Sequence, residues 1–235
     1  MFDSDFLAVA PLWYVAFLLS VTCHEAAHAW AALKLGDDTA ARGGQVTLNP
    51  IPHIQRAPFG MVLVPIVSLA IGGWMLGWAS APYDPYWQRK YPRRAAWMAL
   101  AGPAANFVLV ILAGLAMLGG YMFGFFAWPE SFSMLQMVSP TSEATGGLVT
   151  FLSILFVENV LLGAFNLIPV PPLDGATALG LILPESVVHS FNDFMRQPGF
   201  SMLGLVIAWR AFDYVFQPVY NVSLEIFFFS MSLVS

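Results

Sequence analysis

The run His24-Glu25-Ala26-Ala27-His28 contains the residues of this chain whose types and spacing point most directly to chemistry. On a helix, two histidines four positions apart lie on one face, one turn apart, where both imidazoles can bind one Zn²⁺. The glutamate between them then lies next to the water molecule that the metal activates. Ionisable groups inside an apolar run are costly unless something uses them. We therefore predict a catalytic zinc site, against the alternative that the two histidines are merely packed.

A zinc ion held by two histidines needs a third protein ligand if its fourth position is left to water. Asp174 is a candidate, because it follows an apolar segment and stands in the run 166–175, which contains three prolines. Prolines prevent a regular helix, so the chain must open locally and expose backbone groups. The alternative is an ordinary Asp-Gly turn at a membrane surface. From the residues of this run alone, both interpretations stay open.

The composition predicts a membrane protein. Of the 235 residues, 58% are hydrophobic and only 10% are charged, whereas a soluble domain carries about a quarter charged residues. The mean hydropathy is +0.71. The length suits one bundle of about four to six spanning helices. The net charge of −5, without a basic stripe, argues against nucleic acid as a partner.

Apolar segments and turn residues divide the chain. Residues 6–35, 95–126 and 148–168 are predicted spans, a last span covers 199–216, and 219–234 form an apolar tail. Residues 43–50 are short and β-leaning, with turn residues at both ends. The single cysteine, Cys23, excludes an intramolecular disulfide. It points about 100° away from His24 on the helix, which favours packing over metal binding.

Basic residues suggest an orientation. Seven of the nine lie between Lys34 and Arg94, and residues 128–147 contain none. The positive-inside rule therefore places 36–94 on the cytoplasmic side. This conflicts with a single crossing by the apolar residues 59–79, which would move the basic residues after them to the other side. The prolines and glycines of that segment favour a re-entrant element, which is allowed where protein or a water-filled cavity covers its backbone.

Taken together, three motifs resemble those of the site-2 protease family of intramembrane zinc metalloproteases. They are the HExxH run in the first apolar helix, the run Ala-Gly-Pro-Ala-Ala-Asn at 101–106 opening another, and the run Asn-Leu-Ile-Pro-Val-Pro-Pro-Leu-Asp-Gly at 166–175 after a third. The order and the positions of the motifs match as well as the residues. The resemblance extends from the first helix to Gly175 and carries little weight for the last sixty residues.

The resemblance implies roles for five residues. His24 and His28 would bind one catalytic Zn²⁺, and Asp174 would complete the protein ligands. Glu25 would be general base and then general acid. Asn166 would contact the substrate backbone or the developing oxyanion.

The resemblance also implies features around this site. Asn106 would shape the helix contact beside it, and residues 43–50 fit the membrane-inserted β-loop of the family. The chain looks like the compact subgroup that lacks PDZ and CBS domains. The expected fold is an all-α polytopic membrane protein, a helical bundle with a small membrane-inserted β-loop. We expect one domain over 1–235, with a core at 6–175 and C-terminal helices at 176–235.

The expected function is hydrolysis of peptide bonds within or next to transmembrane segments. Its partners would be a transmembrane protein or peptide substrate and the lipid bilayer, in a bacterial or archaeal cell membrane. A divalent-metal carrier is one alternative, but it would not need Glu25 and would be expected to show paired repeats. A proteolytically inactive binding protein is another, yet every ligand and the glutamate are present.

Three further ionisable residues lie outside these motifs. Glu158 lies in the middle of a predicted span, where it could sit behind the zinc ligands or line a water path. The alternative for Glu158 is a protonated carboxyl hydrogen-bonded between helices. His53 and His189 stand in polar segments and are interpreted as solvated surface residues.

Overall fold

The computed structural model describes residues 4–195 and 199–234 of the chain. Its elements are α1 (Ser4–Leu35), α2 (Thr39–Arg42), α3 (Pro50–Arg56), a π-helical segment (Phe59–Leu63), α4 (Val64–Gly72), α5 (Pro85–Lys90), α6 (Pro92–Met122), β1 (Phe126–Ala127), β2 (Ser139–Pro140), α7 (Glu143–Asn166), α8 (Asp174–Ala178), a 3₁₀ turn (Leu179–Leu181), α9 (Glu185–Met195) and α10 (Phe200–Ser232).

Three long helices, α1, α6 and α7, form the centre of the fold. Each contains a stretch that is long and apolar enough to cross a membrane. Helix α6 packs along both α1 and α7, and α10 covers α7. Every residue of α7 from Leu152 to Ala164 is buried, as expected for a helix that is apolar on all sides. The polar residues within this stretch, Ser153, Glu158 and Asn159, are therefore held inside the protein.

Hydrogen bonds join the end of α1 to the polar segment that precedes α6. The side chains of Trp87 and Arg94 donate to the Leu35 carbonyl at 3.3 and 3.1 Å. The backbone N–H of Asp84 donates to the Asp37 carboxylate at 2.8 Å. Helix α6 thus begins where α1 ends, and the two run antiparallel. The basic segments before and after residues 59–79 lie at the same end of the bundle.

The intervening segment folds back on itself. Helix α3 and the helical stretch after it meet at an angle of 114°. Beyond α4 the chain turns at Gly73, which has a φ of 73°, and the N–H of Leu76 donates to the Ser68 hydroxyl at 2.8 Å. The N–H of Trp78 then donates to the Gly60 carbonyl at 3.1 Å. Both ends of the segment lie side by side, which is the shape that the re-entrant interpretation requires.

The β-loop expected at residues 43–50 forms no strand. Gly44 turns the chain with a φ of 71°, the N–H of Gln45 donates to Ala40 at 3.0 Å, and Asn49 caps α3. A strand needs a neighbouring strand for its backbone groups, and none pairs with residues 43–50 in the described chain. The two-residue strands β1 and β2 pair antiparallel instead, within the loop between α6 and α7.

The C-terminal part also differs from expectation. The span predicted at 199–216 and the separate tail at 219–234 are one 33-residue helix, α10, which continues through Pro218. It does not qualify as a candidate span: three helices in the described residues do, or four if the bent pair is one span. The lower limit of the four to six spans expected is therefore reached only if the bent pair counts as one span.

Candidate active site

Helix α1 presents His24 and His28 one turn apart, as the spacing predicts. Their rings meet edge to face, with centroids 4.6 Å apart, and their Nε2 atoms are separated by 2.9 Å. One carboxylate oxygen of Asp174 lies 3.1 Å from His24 Nε2 and 3.2 Å from His28 Nε2. Both histidines are buried. Three side chains that are far apart in sequence thus converge on one point inside the protein.

The proline-rich run positions Asp174. The chain leaves α7 and returns through a cis Pro171–Pro172 bond, and Asp174 then opens the first turn of α8. Ile168 and Leu173 are buried and fix both ends of the run. A Cβ on Gly204 of α10 would overlap the Pro171 carbonyl oxygen, so α10 packs directly on this run. The alternative of a simple surface turn does not hold.

The donor set fits a zinc ion. The three ligand atoms lie within 4.8 Å of one another, and their measured separations approach the roughly 3.3 Å expected between ligands of a tetrahedral zinc. Opposite them is Gly102 of α6. A Cβ there would lie 2.5 Å from His24 Nε2 and closer still to His28 Nε2. The backbone therefore leaves space beside the imidazoles that any side chain at this position would fill.

The second nitrogen of each ring is also held. His24 Nδ1 lies 2.7 Å from Asn106 Oδ1, and His28 Nδ1 lies 2.8 Å from the Met98 carbonyl oxygen. Because both oxygens can only accept, each ring carries its proton on Nδ1. The Nε2 lone pairs then face Asp174, which is the tautomer that metal binding needs. Asn106 thus contacts a ligand directly, beyond the helix contact expected of it.

The two residues expected to act on the substrate have different surroundings. Glu25 is buried, and within the described residues its Oε2 has no hydrogen-bond partner. Asn166 lies at the end of α7, where its side-chain amide donates to the Leu162 carbonyl at 3.0 Å. None of the hydrogen bonds in the described chain joins Asn166 to the histidines or Asp174. The fold thus brings the three predicted zinc ligands together, whereas the contact of Asn166 with the substrate stays a prediction.

His53 corrects the sequence-based interpretation. It is fully buried rather than solvated, and its Nε2 lies 3.1 Å from the Thr47 carbonyl oxygen. The segment that was interpreted as a polar loop is the helix α3, which buries the His53 side chain. His189 is partly exposed.

Glu158 is fully buried in α7, and neither of its carboxylate oxygens has a hydrogen-bond partner in the part of the chain that the structure describes. No hydrogen bond between helices therefore holds this carboxyl among the described residues. An unpaired buried polar group costs about 1–3 kcal/mol.

We expect Glu158→Met, which keeps the length of the side chain, to raise the unfolding temperature of the purified protein in detergent. Thermal unfolding and peptide cleavage would be measured on the same preparation. Unchanged cleavage would establish that the carboxyl is dispensable. Lost cleavage with zinc retained would instead assign it a function, and a lower unfolding temperature would contradict the expected stabilisation.

Comparisons with known proteins bear on this site. The model of Peptidase family M50 matches residues 12–209. A protein of Bacillus subtilis (strain 168), named "Putative zinc metalloprotease YwhC", is 30% identical over 216 residues, which cover 92% of this chain and 88% of that protein. No solved structure matches.

Longer proteins match as well. A protein of Mycolicibacterium smegmatis, named "Putative zinc metalloprotease Rip2", is 30% identical over 175 residues, which cover 74% of this chain and 58% of Rip2. Rip2 of Mycobacterium tuberculosis (strain H37Rv) is 31% identical over 163 residues, covering 69% of this chain and 54% of Rip2. The matched part is thus a little over half of each Rip2 protein.

Proposed function

We propose that this chain, which belongs to peptidase family M50, the site-2 protease family, cleaves peptide bonds within or next to transmembrane segments of other proteins. It is a zinc metalloprotease with membrane-spanning helices. The observation that carries the proposal is the convergence of His24, His28 and Asp174 beside Glu25, between the central helices.

The depth of the site supports an intramembrane substrate. His28 and His24 lie about two and three turns before Leu35, the last residue of α1. At about 1.5 Å per residue, the ligands are roughly 10–16 Å below the end of this helix. A peptide bond that reaches these ligands has to enter the bundle at that depth. The transmembrane segment of a substrate protein already lies at that depth in the membrane.

His24, His28 and Asp174 would hold one zinc ion. Bound there, zinc would polarise the scissile carbonyl and lower the pKa of a water molecule to about 7.

Glu25 would move the proton. Its Oε2 is buried and unpaired within the described residues, so no hydrogen bond has to break before it accepts a proton from the attacking water. The same carboxyl would then donate that proton to the leaving amine.

Asn166 would hold the substrate. A side-chain amide has two N–H donors, and the Leu162 carbonyl takes one of them. The other N–H would contact the substrate backbone or the oxygen on which negative charge develops.

A helical substrate has to unwind first, because its carbonyls are engaged in hydrogen bonds within the helix. Each backbone group left unpaired in the membrane costs several kcal/mol. Val46 and Leu48 are exposed and form no backbone–backbone hydrogen bond among the described residues. We propose that this segment pairs with the unwound substrate by strand addition, even though it forms no strand on its own.

The position of the basic segments supports an orientation. Residues 36–57 and 81–94 lie at the same end of α1, and they contain most of the basic residues of the chain. By the positive-inside rule that end would be cytoplasmic, in a bacterial cell membrane.

The test is cleavage of a model substrate with one transmembrane helix by the purified protein in detergent, with the cut located by mass spectrometry. We expect cleavage within or next to the apolar segment, loss of cleavage when a chelator removes zinc, and recovery when zinc is returned. A substrate with a Gly-Pro pair in its span should be cut faster than one without, since Pro weakens the helix. Cleavage that survives complete zinc removal would contradict the proposal.

A further inference from the structure

A chain of buried polar side chains runs from α7 to the zinc ligand His24. It consists of Ser20 on α1, Asn159 on α7 and Asn106 on α6. All three are fully buried, in surroundings where an unpaired polar group would be costly. Among the described residues, Asn159 hydrogen-bonds to Asn106, Ser20 and Leu155 and to none of the three zinc ligands.

The hydrogen bonds of Ser20 and Asn159 have a fixed direction. The Ser20 hydroxyl donates to the Ala16 carbonyl at 2.7 Å, so its oxygen is left to accept. The amide of Asn159 donates to this oxygen at 2.8 Å and to the Leu155 carbonyl at 2.7 Å. Both N–H groups of Asn159 are thereby used, and its Oδ1 has to face α6.

The orientation of Asn159 determines the orientation of Asn106, which in turn contacts His24. Asn106 donates from Nδ2 to Asn159 Oδ1 at 2.8 Å, which turns its own Oδ1 towards His24 Nδ1 at 2.7 Å. If the Asn106 amide were reversed, two oxygens would face each other across α6 and α7. His24 Nδ1 would then lose its acceptor, and the proton could move to Nε2, the atom that faces Asp174.

We propose that Asn159 is a positioning residue for the zinc site. It fixes the orientation of Asn106, which fixes the tautomer and the ring orientation of His24, and it thereby raises the affinity for zinc. The inference rests on the proposed zinc site and adds to it a residue that neither binds the metal nor contacts a ligand.

The test compares two replacements of similar size. Asn159→Leu removes the oxygen that holds Asn106. Asn159→Asp keeps an oxygen there in either protonation state. Zinc dissociation constants would be measured by competition with a chelator, and the visible spectrum of the cobalt-substituted protein would report the ligand geometry. Ser153→Ala is the control, because Ser153 is also buried in α7 and hydrogen-bonds Val149 and Met137, away from this chain of side chains.

We expect Asn159→Leu to weaken zinc binding by about 10-fold, the lower end of the range for residues that hydrogen-bond to metal ligands, because Asn159 acts on His24 through Asn106, and to change the cobalt spectrum. Asn159→Asp, which keeps an oxygen for Asn106, should bind zinc more tightly than Asn159→Leu, and Ser153→Ala should bind it as tightly as the wild type. If Asn159→Leu does not yield folded protein, Asn159→Ala carries the same expectation.

Two results would overturn the inference: Asn159→Leu binding zinc as tightly as the wild type, or Asn159→Asp binding it as weakly as Asn159→Leu, which would indicate a packing role. Absence of zinc from the wild-type protein would refute the proposed zinc site itself, so the two failures are distinguishable.

Discussion

Replacing Glu25 with glutamine should leave zinc bound and reduce cleavage by about 10²–10⁴-fold, the usual contribution of a general acid–base group. Glutamine has the same shape, but its amide cannot take a proton from the attacking water. The buried Oε2 of Glu25 has no partner among the described residues, so the change breaks no hydrogen bond there. His24, His28 and Asp174 are untouched, and the zinc site should therefore persist.

Zinc content and cleavage of the model substrate would be measured on the same preparations of wild type and Glu25→Gln. Cys23→Ala is a suitable control, since Cys23 is close in sequence but on a different side of the helix from His24, and it should keep both zinc and activity. A Glu25→Gln protein that cleaves at nearly the wild-type rate would show that another group moves the proton.

Replacing Gly102 with alanine should abolish zinc binding. A Cβ at this position would lie 2.5 Å from His24 Nε2 and closer still to His28 Nε2, and both atoms belong to buried rings that have little room to move. Their Nδ1 atoms are also tied to Asn106 and Met98. We expect the affinity for zinc to fall by more than about 100-fold, which exceeds the usual effect of replacing a residue that hydrogen-bonds to a metal ligand.

Gly114→Ala is the matched control on the same helix. A Cβ there would meet Phe156 and Phe227 at an ordinary contact distance of 3.7 Å. Alanine favours the helix over glycine by about 1 kcal/mol, so this variant should keep zinc and be slightly more stable. A Gly102→Ala protein with zinc bound as tightly as in the wild type would mean that the metal lies elsewhere.

The convergence of the ligands could be predicted because local patterns encode it. The spacing of His24 and His28 fixes their common face on a helix, and the resemblance singled out Asp174 from a run whose residues alone left two interpretations. Gly102 and Asn159 could not be assigned in this way. Their roles depend on how α6 and α7 face α1, and one sequence contains no record of those contacts.

Some features of the fold were predicted from charge rather than from hydropathy. Residues 59–79 are apolar enough to suggest that they cross the membrane, but the basic residues after them favoured a return to the same side. The hydrogen bond from the Trp78 N–H to the Gly60 carbonyl brings the two ends of this segment together, as such a return requires. The strand expected at 43–50 was wrong because β-leaning residues need a partner, which the described chain does not supply. The span predicted at 199–216 does not end there, since α10 continues through Pro218 to Ser232.

Zinc K-edge X-ray absorption of the purified wild-type protein would identify the atoms that bind the metal. We predict nitrogen and oxygen ligands at about 2.0–2.1 Å, outer-shell scattering from two imidazoles and no sulfur. Zinc–sulfur scattering at about 2.3 Å, which would bring in Cys23, or scattering from fewer than two imidazoles, would contradict a site made by His24, His28 and Asp174.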